Sequence, residues 1–133
     1  MNDIEFAVRP TISDDALNDL FALAWPAHER RTFTRVLSRS LSFVVAFHAQ
    51  QVVGFVNVAW DGGSHAFILD PTVHPHYQRR GIGSALVHHA VTAATENGVE
   101  WVHVDFEPHL SAFYSALGFR RTDAGVLRLR TPQ

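Results

Sequence analysis

The spacing of hydrophobic positions changes several times along the chain, and each change marks an element. Ile4, Phe6 and Val8 alternate with other residues up to Arg9-Pro10, the period of a half-buried strand that proline then stops. Ser13 stands before Asp14 and Asp15, a capping residue followed by two acids at the positive end of a helix. Leu17, Leu20, Phe21 and Ala24 give that helix one apolar stripe as far as about Trp25. Pro26 suits the start of a second helix, predicted over residues 27–38. From Leu41 the period shortens. Phe43-Val44-Val45-Ala46-Phe47 and Val52-Val53-Gly54-Phe55-Val56-Asn57-Val58 are rich in β-branched and aromatic residues, and predict a hairpin turning at residues 48–51. Asp61-Gly62-Gly63 marks the next turn, into a third strand that runs from His65 through Leu69 to Val73. The three strands form an antiparallel meander.

Beyond them, Ile82, Leu86, Ala90 and Ala93 share one helical stripe, and Asn97-Gly98 is a C-terminal stop. Trp101, Val102, Val104 and Phe106 predict a strand over residues 100–106. Pro108 opens a helix that carries Leu110, Phe113, Tyr114 and Leu117 and closes at Gly118. Residues 119–121 and 126–130 predict a closing hairpin around Asp123-Ala124-Gly125. The order β-α-α-β-β-β-α-β-α-β-β, without repeat or linker, predicts one α+β domain over residues 1–133 about a mixed sheet.

Composition narrows the function classes. Apolar residues are 47% and charged residues 18% of the 133, the balance of a chain that folds around one core rather than a disordered one. The net charge is −2, and Lys and Arg concentrate only at Arg30-Arg31 and Arg79-Arg80, so no basic field exists to attract nucleic acid. Cysteine is absent, which removes disulfides, thiolate zinc sites and a cysteine nucleophile, and agrees with a reducing compartment. The first residues lack the basic start and apolar run of a signal peptide, and no stretch approaches the roughly 20 apolar residues that span a bilayer. The expectation is a soluble cytoplasmic protein without a membrane partner. The nine histidines suggest no metal site: His88-His89 cannot face one ion from a helix, His74 and His76 flank a proline, and no His-x-x-x-His pattern completes a set.

The chemistry concentrates between the third strand and the following helix, in Tyr77-Gln78-Arg79-Arg80-Gly81-Ile82-Gly83-Ser84. Free amides and partial positive charge at a helix start, with glycines that let an anion approach the backbone, make a phosphate site. Gly-x-Gly alone equally fits a plain loop. Leu86 stands where a dinucleotide fingerprint needs its third glycine, and no Gly-Lys-Ser/Thr of a P-loop follows.

Gln78-Arg79-Arg80-Gly81-Ile82-Gly83 resembles the acetyl-CoA loop of the GNAT superfamily of N-acetyltransferases, Gln/Arg-x-x-Gly-x-Gly/Ala, at each defined position. Leu69-Asp70-Pro71-Thr72-Val73-His74-Pro75 is similar to the family's approach to that loop. Ala112-Phe113-Tyr114-Ser115-Ala116-Leu117-Gly118-Phe119 is similar to its Phe-Tyr and Gly-Phe signature, and Val8-Arg9-Pro10 to its opening. The likeness covers nearly the whole chain. It implies a mostly antiparallel mixed sheet flanked by about four helices, with strands splayed at the acetyl-CoA site. It also implies that the amides of Gln78, Arg79, Arg80, Gly81, Ile82, Gly83 and Ser84 hold the pyrophosphate, and that the backbone at Val73 pairs with the pantetheine arm. Homodimers formed through edge strands are common in proteins of this resemblance, and the oligomeric state stays open.

Acetyl transfer from a thioester needs a neutral amine, a polarised carbonyl and a proton for the departing thiolate. The resemblance makes Tyr114 the general acid, against the alternative of a ring packed on the sheet. Asp70 is the preferred base, with Glu107 as its rival. The alternatives are a carboxylate that only attracts a cationic substrate, or one that caps a turn or the helix after Pro108, which for Glu107 fits nearly as well. His74 takes a supporting part. Trp25, His28, Glu29, Arg30 and Trp60 are candidate linings of an acceptor pocket for a small-molecule amine. Two other readings remain: a CoA-binding sensor or partner subunit without activity, which would not need Tyr114, and an enzyme acting on a protein N-terminus or lysine.

Overall fold

A computed structural model describes residues 3–130. Strand β1 spans Ile4–Val8, β2 Ser42–His48, β3 Gln51–Trp60, β4 His65–Val73 and β5 Trp101–His103; helix α1 spans Asp14–Ala24, α2 Thr34–Arg39, α3 Ile82–Glu96 and α4 Ser111–Ala116. The five strands form one sheet in the order β1-β2-β3-β4-β5. The first four pair antiparallel and β5 joins β4 in parallel. The β2–β3 hairpin turns through Ala49 and Gln50, both with positive φ (48° and 72°), as a two-residue turn matched to strand twist requires.

Alternation along the strands feeds two cores. Val44, Val56, Val58 and Ile68 turn to one face and pack with Ile82, Leu86 and Ala90 of α3. Phe43, Val45 and Phe55 turn to the other and pack with Leu17, Leu20 and Phe21 of α1. Both faces of β2 and β3 are covered, which is why their sequences read as unbroken apolar runs. Helix α3 sits so close to β3 that a Cβ on Gly54 would lie 3.1 Å from Ala46, Ile82 and Leu86 side-chain atoms. That close seating holds the start of α3 beside the end of β4.

Three expected elements come out differently. Residues 27–33 are not helical, and α2 begins only at Thr34. The backbone there is claimed by α1: Asn18 Nδ2 donates to the Arg31 carbonyl at 2.7 Å, Arg31 N donates to Asn18 Oδ1 at 3.0 Å, and Phe33 N donates to Asp14 Oδ1 at 2.9 Å. Phe33 is thereby delivered to the core against Phe21, and side-chain capture of peptide groups wins over the helix. Strand β5 is three residues long rather than seven, because its ladder with β4 ends at Phe67↔His103. The closing hairpin is absent as well. No strand is assigned over residues 119–130, and Val126, Leu127 and Leu129 stay 86%, 84% and 87% exposed. With only three residues of edge on β5, that segment has almost no ladder to join, and an isolated two-stranded hairpin is marginal in water. The helix after Pro108 starts as a 3-10 turn, Pro108–Leu110, before α4. Among the described residues no helix is long and apolar enough to cross a membrane.

Candidate active site

The site begins with an irregularity in β4. Asn57 pairs with Leu69 and Phe55 with Thr72, so β4 carries one residue more than β3 across that step, a bulge that bends the strand and redirects side chains. Asp70 takes φ 54° there, a region that Asp and Asn tolerate better than other residues with a Cβ. Thr72 Oγ1 donates to the Asp70 carbonyl at 2.9 Å and fixes the bulge. Because the ladder to β5 has already ended, the β5-facing edge of β4 has no strand partner among the described residues from Ile68 to Val73. The two strands part around a gap.

Burial pushes the Asp70 carboxyl above the ordinary carboxylate range, and Arg31 pulls the other way. That ion pair is loose, at 3.9 Å between partly exposed side chains, so burial wins.

On the far side of Val73 the chain enters the glycine loop. His74 N donates to the Val53 carbonyl at 2.8 Å, and His74 Nδ1 accepts from His76 N at 3.1 Å. Burial and the neighbouring His76 lower the His74 pKa; it supports the turn and lines neither cleft described below. Tyr77 hydrogen-bonds His48 Nδ1 at 2.7 Å and carries the Arg80 guanidinium over its ring at 5.0 Å. Gly81 caps α3 with φ 80° and no side-chain cap bond, and the first amide bonded back is Ala85 N to the Gly81 carbonyl at 3.0 Å. The amides of Ile82, Gly83 and Ser84 therefore have no acceptor among the described residues. This is the donor set an anion requires, and it fits a pyrophosphate.

Two clefts flank this region. The first, about 720 Å³, is lined by Val73, Gln78, Arg79, Gly81, Ile82, Gly83 and Ser84 together with Phe113. Arg80 does not line it. The second, about 590 Å³, is lined by Trp25, Asp70 and Glu107, and by Asp105, Phe106 and Asp123. They meet at Pro71, Leu110 and Tyr114, which line both.

Tyr114 on α4 is 3% exposed. Its ring stacks on Phe106 at 4.7 Å and meets Phe113 and Phe119 edge-on at 4.9 and 5.7 Å. Its hydroxyl has no hydrogen-bond partner among the described residues, and burial raises its pKa above 10.0, so it stays protonated through the neutral range.

Of the acceptor-pocket candidates, Trp25 lines the second cleft and His28, Glu29, Arg30 and Trp60 do not. His28 Nε2 bonds Asn18 Oδ1 at 2.8 Å, Arg30 pairs with Asp15 and Asp19, and Trp60 packs on the α3-side core. Leu110, Arg121 and Asp123 went unpredicted as lining, since Leu110 reads as an ordinary stripe residue and the other two as parts of a hairpin.

Comparison with known proteins agrees with this geometry. The acetyltransferase (GNAT) domain family matches residues 39–121. A serotonin N-acetyltransferase 2 of Oryza sativa subsp. japonica is 31% identical, over 86% of this chain and 61% of its own. An uncharacterized N-acetyltransferase of Pyropia yezoensis is 30% identical, over 57% and 44%. The chain thus spans about half the length of the curated relatives it matches. Among solved structures, a GNAT-family acetyltransferase from Streptococcus pneumoniae superposes with a TM-score of 0.79 at 25% identity, covering 96% of this chain and 99% of that one. With the splayed strands, the uncapped start of α3 and the matched domain all in agreement, the chain belongs to the GNAT acetyltransferase family.

Proposed function

We propose that this protein moves an acetyl group from acetyl-CoA to a primary amine of a small molecule, by direct attack with both substrates bound. The observation that carries this reading is the meeting of the two clefts at Tyr114, one below free helix-start amides and the other beside the half-buried Asp70 carboxylate. The amides of Ile82, Gly83 and Ser84 and the side chains of Gln78 and Arg79 hold the pyrophosphate, and the unpaired β4 edge near Val73 aligns the pantetheine arm. Acetyl-CoA supplies an activated acyl carbon and a thiolate leaving group. Asp70 takes the proton of the incoming ammonium, and the neutral nitrogen forms the new C–N bond as the C–S bond breaks. Tyr114 gives its proton to the departing sulfur, and the second proton shed by the acylated nitrogen restores the phenol. Glu107 belongs to the acceptor wall.

Free thiol release from acetyl-CoA, followed across a panel of primary amines, tests the reading; amine-dependent release is expected, and tight CoA binding without release on any amine would leave a sensor instead. The cradle has its own test. A Cβ at Gly83 would point to the Phe113 ring and Val73 at 3.6 to 3.9 Å, so Gly83→Ala fits while Gly83→Leu projects into the cleft. The leucine variant should weaken CoA binding by about tenfold or more while α3 keeps its stability, since leucine is the better helix former. Equal CoA dissociation constants for wild type and Gly83→Leu would move the cofactor elsewhere.

A further inference from the structure

The two clefts differ in charge. The one under the start of α3 has no carboxylate in its lining and includes Arg79. The other sets Asp70, Asp105, Glu107 and Asp123 against the single guanidinium of Arg121. Asp105, Glu107 and Asp123 make no ion pair or side-chain hydrogen bond with the described residues, and no group of three or more acids or histidines among those residues gathers as a metal-ligand set. Three carboxylates therefore face the cleft without a partner among the described residues.

A simple monoamine does not account for them. The reacting nitrogen must be neutral when it attacks, and one carboxylate is enough to take its proton. From that moment a monoamine brings no positive charge to the remaining acids, so they contribute nothing to the reacting complex. A second cationic nitrogen elsewhere on the acceptor stays charged throughout and is stabilised in ground and transition states alike. The cleft's other walls suit what would join the two nitrogens, since Trp25, Leu69 and Phe106 offer apolar surface to a methylene spacer. Independently of the acids, the otherwise buried Tyr114 side chain, 3% exposed, lines the cleft, and its hydroxyl has no hydrogen-bond partner among the described residues. A ligand in the cleft can hydrogen-bond to it.

We propose that the acceptor is an aliphatic di- or polyamine, with one nitrogen at Asp70 and Tyr114 and a second, still protonated, against Asp105, Glu107 and Asp123. The proposal rests on the acetyl-transfer reading for its chemistry, while the binding preference stands without it.

The test compares a linear diaminoalkane with the amino alcohol of the same chain length, in which a hydroxyl replaces the second ammonium. Binding to CoA-saturated protein is measured by calorimetry, and turnover by thiol release. The diamine should bind more tightly and show a kcat/KM about tenfold higher, a typical return from one or two partly exposed charge pairs, and the advantage should shrink as salt is raised. In the triple variant Asp105→Asn, Glu107→Gln, Asp123→Asn the ratio of the two substrates should fall toward one. These side chains are nearly isosteric and exposed, and a thermal scan verifies the fold. An amino alcohol that matches or exceeds the diamine, or a diamine preference that survives in the triple variant, overturns the proposal. Preferential diamine binding with no thiol release from any amine supports the acidic subsite and removes the acetyl-transfer reading instead.

Discussion

Tyr114→Phe is expected to lower kcat by about a hundredfold or more, with CoA affinity and thermal stability close to those of the wild type. The magnitude is that of losing a positioned general acid. The selectivity follows from the packing: the phenylalanine keeps the ring contacts to Phe106, Phe113 and Phe119, and the lost hydroxyl had no hydrogen bond within the described chain. Removing a hydroxyl that bonds nothing in the described chain does not destabilise the core. Because burial raises the Tyr114 pKa, its protonated form is favoured by folding; that contribution is fully present below the unfolded value of about 10 and is lost only as pH rises through the higher folded value. The wild-type rate should therefore show no loss assignable to Tyr114 anywhere near neutral pH. Steady-state kinetics with a CoA titration separate the effects. A kcat within about threefold of wild type would remove Tyr114 as the acid, and a parallel drop in CoA affinity would make it a binding residue.

Much of this site is legible in the sequence because its parts are local. The glycine loop is contiguous, the free amides at the start of α3 follow from the strand before it and the helix after it, and Gly81 occupies the left-handed cap position that favours glycine. The stripe Ile82, Leu86, Ala90 and Ala93 is buried as its spacing predicts. What spacing misses are contacts between distant segments. Asn18 reads as a polar interruption of the α1 stripe, yet its side chain is buried and holds the backbone of Arg31, converting an expected helix into a loop. The parting of β4 and β5 depends on a bulge at Asp70, and a bulge adds one residue without changing composition. Asp123 lies far along the chain from Asp70, and only the fold brings both to one cleft. The last hairpin fails for a related reason: strand propensity at Val126 and Leu129 is real, but a strand also needs an edge of sufficient length.

Asp70 joins these threads, since it lies on the bulge, in the cleft, and under a burial penalty. Asp70→Asn should lower kcat/KM by about a hundredfold and at the same time raise the thermal midpoint at neutral pH. Asparagine tolerates φ 54° as aspartate does, so the bulge and the Thr72 hydrogen bond to the residue 70 carbonyl remain; alanine would add backbone strain and confuse the result. The sign of the stability effect follows from the direction of the shift. Burial raises the folded pKa of Asp70 above its ordinary value, so folding favours the protonated form. The favourable contribution is fully present below the unfolded pKa and is lost as pH rises through the folded one. Above that window wild type carries a partly desolvated carboxylate, relieved in part by the loose contact to Arg31, and the amide carries none. The gap in thermal midpoint should accordingly open as pH climbs from the ordinary carboxylate range and level off by neutrality. The acidic limb of kcat/KM, which in wild type tracks ionisation of the base, should vanish from the variant. A variant as active as wild type would pass the role of base to Glu107. A lower midpoint at neutral pH would mean that the pair with Arg31 outweighs burial, and with it the physical reason for a base at this position would be gone.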